Sequence, residues 1–329
     1  MRKQYAVIAT ISGLLSASPV FAFDCGKAST ASEKAICADP TALASDTALS
    51  AAYKILSTSL SPNQSAELLK AQQNWVKQRD NNCGEQTTGA ELSACLKDQS
   101  VSRMAYLTAK PEAGSGAPNN LVPFFQIVKG GKGKTNVDIQ VYKFMKPTDA
   151  GQKAFNAQVD KLAADLQEPA AGDETADSYD YLVSMSLNYA SPELISAHSE
   201  TSSYFGGAHP NNQSSTININ VKKGAVAKFK DFLSSDAVTK LSVSCSKQVL
   251  QQKKESQGAD VNLSDETLKK LYEDIARVSS DLALWTFTTD KAQIQFDQYV
   301  VGAYSEGAFS CDIPYTELRP LVKKGFPLP

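Results

Sequence analysis

The chain has few of the residues on which catalysis and metal binding usually depend. Its 329 residues include only two histidines, His198 and His209. These two do not have the spacing of a helical zinc motif, and the sequence contains no nucleophile elbow, phosphate-binding glycine loop or dinucleotide fingerprint. Glu306, next to Gly307, is a candidate catalytic carboxylate only by default. We therefore predict a protein that is not an enzyme and that holds no metal and no cofactor.

An excess of basic residues and long apolar runs are also missing. The 33 lysines and arginines against 35 aspartates and glutamates give a formal net charge of −2, and no basic stripe stands out. A nucleic-acid partner is therefore not expected. No run after residue 22 approaches the ~20 apolar residues that a membrane-spanning helix needs. We expect no membrane span once the first segment has been removed.

Residues 1–22 have the pattern of a secretory signal peptide. Arg2 and Lys3 precede a short apolar stretch, and Val20 and Ala22 place small residues at the cleavage positions. Phe23 follows the cleavage site where a lipoprotein would have a cysteine. The sequence therefore predicts a periplasmic or secreted protein.

The six cysteines fall into a group of four and a pair. Exported proteins keep cysteines mostly as disulfides, and no Cys-x-x-Cys knuckle points to zinc. Four cysteines allow three pairings. Among these the sequence favours Cys25–Cys83 with Cys37–Cys95, without fixing the choice. In the second group, Cys245 on a helix face and Cys311 on a strand face are expected to pair.

The first part of the chain, residues 23–110, has the pattern of a small helical domain. Thr30 and Glu33 form a capping box that opens a short helix ending near Cys37. A second helix carries an apolar stripe of Leu49, Tyr53, Leu56 and Leu60, and Asp46 is the expected cap. Ser61-Pro62 begins a helix that runs to about residue 80, and another follows near 91–108. Trp75 is expected in the core, and Arg79 is expected to make a structural ion pair or to cap a carbonyl.

Motifs spread over residues 23–108 resemble the N-terminal domain of the LprI lysozyme inhibitors. The motifs are Phe23-Asp-Cys25, Glu33-Lys-Ala-Ile-Cys37, Leu49-x-x-x-Tyr53, Gln72-x-x-Trp75-x-x-x-Arg79-Asp80 and Cys95-Leu96. The resemblance implies a helical domain that faces the cell envelope. It also implies lysozyme inhibition, which is attributed to some members of that family.

Residues 111–120 are rich in glycine, proline, serine and asparagine and are typical of a flexible linker. Beyond them the apolar period changes from 3.6 to 2, as in Val137, Ile139 and Val141. Helical patterns near 149–167, 236–254, 264–279 and 315–322 interrupt the strands. We therefore predict a multidomain α+β protein. Its disulfide-stapled helical domain precedes an α+β domain, residues 121–329, with a largely antiparallel sheet and packed helices.

A second ordered set of motifs lies within residues 121–325 and resembles the RsiV/PdaC-type extracytoplasmic domain. The set includes Tyr204-Phe-Gly-Gly-Ala-His-Pro-Asn211, Lys228-Phe-Lys-Asp-Phe-Leu233, Tyr299, Ala303-Tyr304, Glu306-Gly307 and Ile313-Pro-Tyr-x-Glu-Leu318. In RsiV this ectodomain is a lysozyme receptor, and in PdaC it accompanies a peptidoglycan deacetylase domain. The resemblance therefore implies the same ligand as the first one.

Two loops of the second domain are the preferred binding candidates. Paired glycines permit a tight turn with positive φ, and the aromatic residues beside them suit a protein interface. The candidate residues are Tyr204, Phe205, Gly206, Gly207, His209, Tyr304 and Glu306. We predict an exported cell-envelope protein that binds lysozyme and either inhibits or senses it. The alternative is a non-catalytic accessory module that contacts peptidoglycan during envelope maintenance.

Overall fold

The computed structural model describes residues 24–85, 88–116, 118, 120–131, 134–164, 179–257 and 264–329, so the predicted signal peptide lies outside the described residues. The N-terminal region, here called the helical module, contains four α-helices after a short 3-10 turn at Cys25–Lys27. They are α1 (Ala31–Ala38), α2 (Pro40–Ser59), α3 (Pro62–Gly84) and α4 (Gly89–Leu107).

Local capping explains where these helices begin. The predicted capping box of Thr30 and Glu33 starts α1, and Ser61 caps α3 ahead of Pro62. A second capping box, formed by Thr88 and Glu91 and not predicted from the sequence, opens α4. The predicted cap of α2 is wrong, because Asp39 caps this helix and Asp46 lies buried within it. Asp46 instead faces Arg79 at 3.6 Å, and burial raises the pKa of its carboxyl.

The disulfides of the helical module join Cys25 to Cys37 and Cys83 to Cys95, so the favoured crossed pairing is wrong. Both Cα–Cα distances are 5.7 Å, and the two half-cystines of each bond are 12 residues apart in the chain. The physical reason is local. Helix α1 is short and turns back on the Cys25 segment, while the α3–α4 connection returns the chain from Cys83 to Cys95. Each disulfide therefore closes one connection between consecutive elements.

The larger of two sheets follows and is mainly antiparallel. Its strands are β1 (Ala113–Gly114), β2 (Leu121–Val128), β3 (Thr135–Phe144), β4 (Tyr179–Ala190), β5 (Leu194–Tyr204), β6 (Asn211–Asn220) and β7 (Ala225–Val226). The strand order is β2-β3-β4-β5-β6-β7, with β1 paired to β4. The parallel step from β3 to β4 passes through α5 (Ala150–Ala164), which buries Phe155 and Val159 in the core of this sheet.

The smaller sheet and its helices complete the fold. They comprise α6 (Phe229–Phe232), α7 (Ser235–Gln257), α8 (Asp265–Ser279), β8 (Trp285–Phe287), β9 (Lys291–Phe296), β10 (Phe309–Pro314) and α9 (Tyr315–Leu318). The sheet order is β10-β9-β8, and its core contains the fully buried Trp285. The predicted Cys245–Cys311 disulfide is confirmed and ties α7 to β10. The α+β fold class is therefore confirmed as well.

The predicted flexible linker is instead bonded to the large sheet over its described residues. Glu112 N–H donates to Leu187 O at 2.9 Å, and Ser115 N–H donates to Ala190 O at 3.0 Å. Between them, β1 pairs in parallel with the end of β4. Composition suggested flexibility, but these backbone groups have partners on a strand that lies more than 70 residues further along the chain.

The helical module also packs directly on the large sheet. Leu56 and Leu68 share one apolar cluster with Phe125 and Ile127 of β2. On α3, Glu67 accepts a hydrogen bond from Ile127 N–H at 2.7 Å. The two halves of the chain therefore share a core, which neither the linker composition nor the periodicity indicated.

Candidate functional site

The predicted glycine–histidine turn connects β5 and β6. Strand pairing ends at Ser203 and Asn211, so the intervening residues reverse the chain. Gly206 and Gly207 have φ values of 92° and 109°, a region that side chains disfavour. The Tyr204 hydroxyl donates to Gly207 O at 3.1 Å and closes the turn. The glycines therefore have a demonstrable conformational role.

His209 joins this turn to the second predicted loop. Its imidazole stacks on Tyr304 with ring centroids 3.6 Å apart and an angle of 13° between the rings. Its Nδ1 lies 2.9 Å from Pro210 O, and its Nε2 lies 3.0 Å from the Tyr299 hydroxyl. A carbonyl oxygen can only accept, so Nδ1 donates to Pro210, and the second ring nitrogen is left to bond with the Tyr299 hydroxyl. His209, Tyr299 and Tyr304 form what we call the aromatic cluster.

Tyr299 belongs to the cluster but was not among the predicted site residues. It has a positive φ of 67°, which a non-glycine residue rarely adopts, and it is 64% exposed. A large, exposed ring on strained backbone is typical of a functional position rather than a packed one. Tyr299 lies in the second ordered set of motifs, and this was the sequence signal for it. Its contact with the histidine could not be predicted, because 90 residues separate the two.

Glu306 faces the interior and supports the loop that carries Tyr304. It accepts from Lys253 Nζ at 2.5 Å and from Ala303 N–H at 2.8 Å. Lys253 is almost completely buried and also lies 4.7 Å from the centre of the Phe309 ring. A side chain at Gly302 would meet Lys253 Nζ at 2.8 Å, so glycine fits closely here. Glu306 therefore holds the loop in place.

The remaining predicted aromatic residue also contributes mainly to structure. Phe205 packs on Tyr179, with ring centroids 6.1 Å apart, at the edge of the large-sheet core. The amide of Asn212 donates to the Tyr304 hydroxyl at 3.4 Å and links the loop to β6. The structure thus brings the two predicted loops together, with His209 and Tyr304 in contact and with Phe205 and Glu306 turned toward the protein.

His198 lies on β5 in a separate polar environment. Its Nδ1 is 3.2 Å from the Thr216 hydroxyl, and its Nε2 is 3.9 Å from Glu200. The neighbouring His198 side chain lowers the pKa of Glu200, so this carboxyl is ionised at neutral pH. Within the described ranges, no group of three or more histidine, cysteine or acidic side chains has an arrangement that could hold a metal ion.

The fold and the site define a disulfide-bonded α+β protein that presents a polar–aromatic surface on two loops in contact with each other. Residues 25–110 match the LprI lysozyme-inhibitor family, and residues 229–316 match DUF3298, a family of proteins of unknown function. The chain therefore carries an LprI domain followed by a DUF3298 domain, and the first resemblance is confirmed. The likeness to RsiV and PdaC stays a prediction.

Two crystal structures of DUF3298 proteins are similar to this chain. The first, from Bacteroides fragilis, is 16% identical, covers 62% of this chain and 93% of its own, and has a TM-score of 0.45. The second, from Pseudomonas aeruginosa, is 16% identical, covers 65% and 98%, and has a TM-score of 0.39. No curated protein matches the chain significantly in sequence. None of the described helices combines the length and apolar character that a membrane crossing requires.

Proposed function

We propose that this protein is exported to the periplasm or secreted, where it binds a lysozyme and blocks the enzyme's substrate cleft. The LprI domain supports the choice of partner. The contact between His209 and Tyr304 is the single observation that carries the choice of surface, because it joins two loops from distant parts of the chain into one patch. Tyrosine is enriched among the residues that dominate binding energy at protein interfaces.

The support beneath the patch suits an inhibitor. The ion pair of Glu306 with Lys253 holds one loop, and the β5–β6 pairing holds the other. A surface that is already ordered loses little conformational entropy when it binds. An interface of standard size buries about 1,600 Å² in total. The aromatic cluster would form the centre of such an interface rather than the whole of it.

Blocking a cleft requires binding and no chemistry, so we propose that the protein is not an enzyme. The arrangement of Glu306 supports this. A general acid or nucleophile must reach the substrate, whereas this carboxylate is engaged by Lys253 and by the backbone of its own turn. Three disulfides among the described residues are in keeping with an oxidising compartment.

A titration of the oxidised chain from Phe23 onward into c-type and g-type lysozymes tests the proposal. Direct binding and cell-wall lysis should be followed together. We expect saturable binding with loss of lysis. Tyr304→Ala and His209→Ala should each weaken binding at least about tenfold, or about 1.4 kcal/mol. Tyr272→Ala is the matched control, since Tyr272 is a tyrosine on α8 that is 42% exposed and lies outside the cluster.

Absence of binding to either enzyme at tens of micromolar would refute the lysozyme proposal. Purified peptidoglycan should be tested in the same assay. Retention of the protein on peptidoglycan without any affinity for lysozyme would favour the accessory module that contacts the cell wall. Equal losses from Tyr272→Ala and Tyr304→Ala would refute the assignment of the surface, though not the partner.

A further inference from the structure

A groove with a volume of about 500 Å³ lies where the helical module and both sheets meet. We call it the junction groove. Gln78 of α3 and Gln140 of β3 line one side, and Gln295 of β9 lines the other. The central strands form its floor. Side chains alternate between the two faces of a strand. The β3 side chains that contact the helical module and the β6 side chains that contact the small sheet both lie on the face that lines the groove.

The junction groove is connected to the aromatic cluster. Asn212 lines the groove and also donates to the Tyr304 hydroxyl at 3.4 Å. A partner that covers Tyr304 would therefore extend over one end of the groove. This continuity makes the groove part of the same proposed binding face rather than a separate pocket.

The charged side chains that line the groove are all acidic among the described residues. They are Asp138, Glu200 and Asp297. Asp138 accepts from Gln140 at 2.7 Å, and Gln140 in turn accepts from Arg103 at 2.6 Å, so its charge is partly compensated. In the part of the chain that the structure describes, neither Glu200 nor Asp297 has a lysine or arginine within 4.0 Å.

Neutral donors fix the position of Asp297. Ser214 N–H donates to one carboxylate oxygen at 2.8 Å, and the Ser214 hydroxyl donates to the other. Glu200 lies opposite Ser214, since these two residues are paired across β5 and β6. Both acidic residues thus line the groove near Ser214, and Asp297 is held there in a defined orientation.

The floor of the groove adds an apolar element. Leu182 lines the groove and is 37% exposed, which is unusual for a leucine on a central strand. Lysine and arginine lay their aliphatic stems along apolar surface while the charged head finds a polar partner. No aromatic ring lines the groove within the described ranges, so it offers no stacking surface for a sugar ring.

We propose that the junction groove accepts a lysine or arginine side chain of the bound lysozyme, with the stem on Leu182 and the head between Glu200 and Asp297. The inference rests on the proposed function and names a second contact of the same interface. Charge-assisted hydrogen bonds to carboxylates are short and strong. Such a contact would also steer the approach of a cationic partner and would weaken as salt screens it.

The first test compares two double variants that remove the same charge. Glu200→Gln with Asp297→Asn neutralises the groove. Glu273→Gln with Asp98→Asn neutralises two exposed carboxylates elsewhere, on α8 and α4. We expect the groove variant to raise the lysozyme Kd about tenfold at about 50 mM salt and to flatten its salt dependence, and the control to change Kd less than about twofold. Equal effects would overturn the proposal.

A second test separates this proposal from the lysozyme proposal. Triarginine is titrated into the full chain, and amide shifts of groove residues such as Ser214 are followed by NMR up to about 10 mM, well above a Kd of about 1 mM. If triarginine causes shifts and the single variant Glu200→Gln abolishes them, the result supports the groove proposal even if no lysozyme binds. Absence of shifts, or groove shifts with chitotetraose instead of triarginine, would overturn it. Glu200→Gln changes a mostly exposed side chain and should leave folding intact.

Discussion

At the residue scale, Glu33 shows how backbone hydrogen-bond donors let an exposed carboxylate contribute to stability. Hydrogen bonds from Thr30 N–H and Ser29 N–H lower its pKa from 4.5 to about 2. A carboxyl whose folded pKa is depressed stabilises the fold fully above the unfolded value and loses that contribution as pH falls toward the folded value. We expect Glu33→Gln to lower the urea midpoint at pH 7, with the difference shrinking between pH 4.5 and about 2.

The control for this prediction is Glu273→Gln, which removes the same charge from an exposed position within α8. An unchanged gap between Glu33→Gln and the parent protein over that pH range would contradict the cap mechanism. A direct NMR titration of the Glu33 carboxyl provides an independent measurement of its pKa.

The pair of Glu306 and Lys253 gives a second prediction at the residue scale. Removing one partner of a buried ion pair leaves an uncompensated charge and costs about 3–5 kcal/mol. The Glu306 side chain is 19% exposed, so we expect the lower end of that range for Glu306→Ala. Glu306→Gln combined with Lys253→Met should recover most of the loss, because no buried charge remains. Urea unfolding measures the stability of both variants. If the double variant lost as much stability as Glu306→Ala, this would argue against an energetic role of the unpaired lysine.

At the element scale, two glutamines of α7 form hydrogen bonds with backbone groups along the outer edge of β10. Gln252 donates to Ser310 O at 2.7 Å and accepts from Ser310 N–H at 3.2 Å. Gln248 does the same with Asp312, at 2.8 and 2.9 Å. An uncovered strand edge is a site for unwanted pairing with other chains. These amides therefore act as a substitute for a further strand.

We expect Gln248→Ala with Gln252→Ala to speed amide hydrogen exchange at Ser310 and Asp312 and to cost about 1–3 kcal/mol per lost partner. Gln251→Ala is the matched control, since this neighbouring side chain bonds only to Glu255 among the contacts of the described residues. Unchanged exchange at Ser310 in the double variant would contradict the capping role. Exchange should be measured residue by residue, because the effect is confined to one edge.

The element scale also shows which features sequence could predict. Features that depend on residues a few positions apart were predicted correctly. They are the capping box at Thr30, the helix start at Ser61-Pro62 and the apolar alternation in β3. Other features depend on how separate segments pack. They are the disulfide partner of Cys25, the pairing of β1 with β4 and the contact of His209 with Tyr299. No local pattern contains that information, so these were wrong or missed.

At the scale of the whole molecule, the helical module and the large sheet are joined by polar contacts around a shared core. Asn74 donates to Asp138 at 3.2 Å, and the Tyr106 hydroxyl donates to Val141 O at 3.0 Å. The burial of Tyr106 between these two parts raises the pKa of its phenol well above the usual value. These contacts also hold Gln78 of α3 at the edge of the junction groove. Relative motion of the module and the sheet would displace the part of the wall that Gln78 of α3 forms.

The two tryptophans allow this coupling to be tested, because Trp75 lies in the helical module and Trp285 in the small-sheet core. In a Trp285→Phe background, fluorescence follows Trp75 alone. Phe155→Ala then removes a fully buried ring from the large-sheet core, at a cost of about 3–5 kcal/mol. If the modules unfold together, the urea midpoint reported by Trp75 should fall with that loss, although Phe155 lies outside the helical module. An unchanged Trp75 midpoint would mean that the modules unfold independently, as a flexible linker would require.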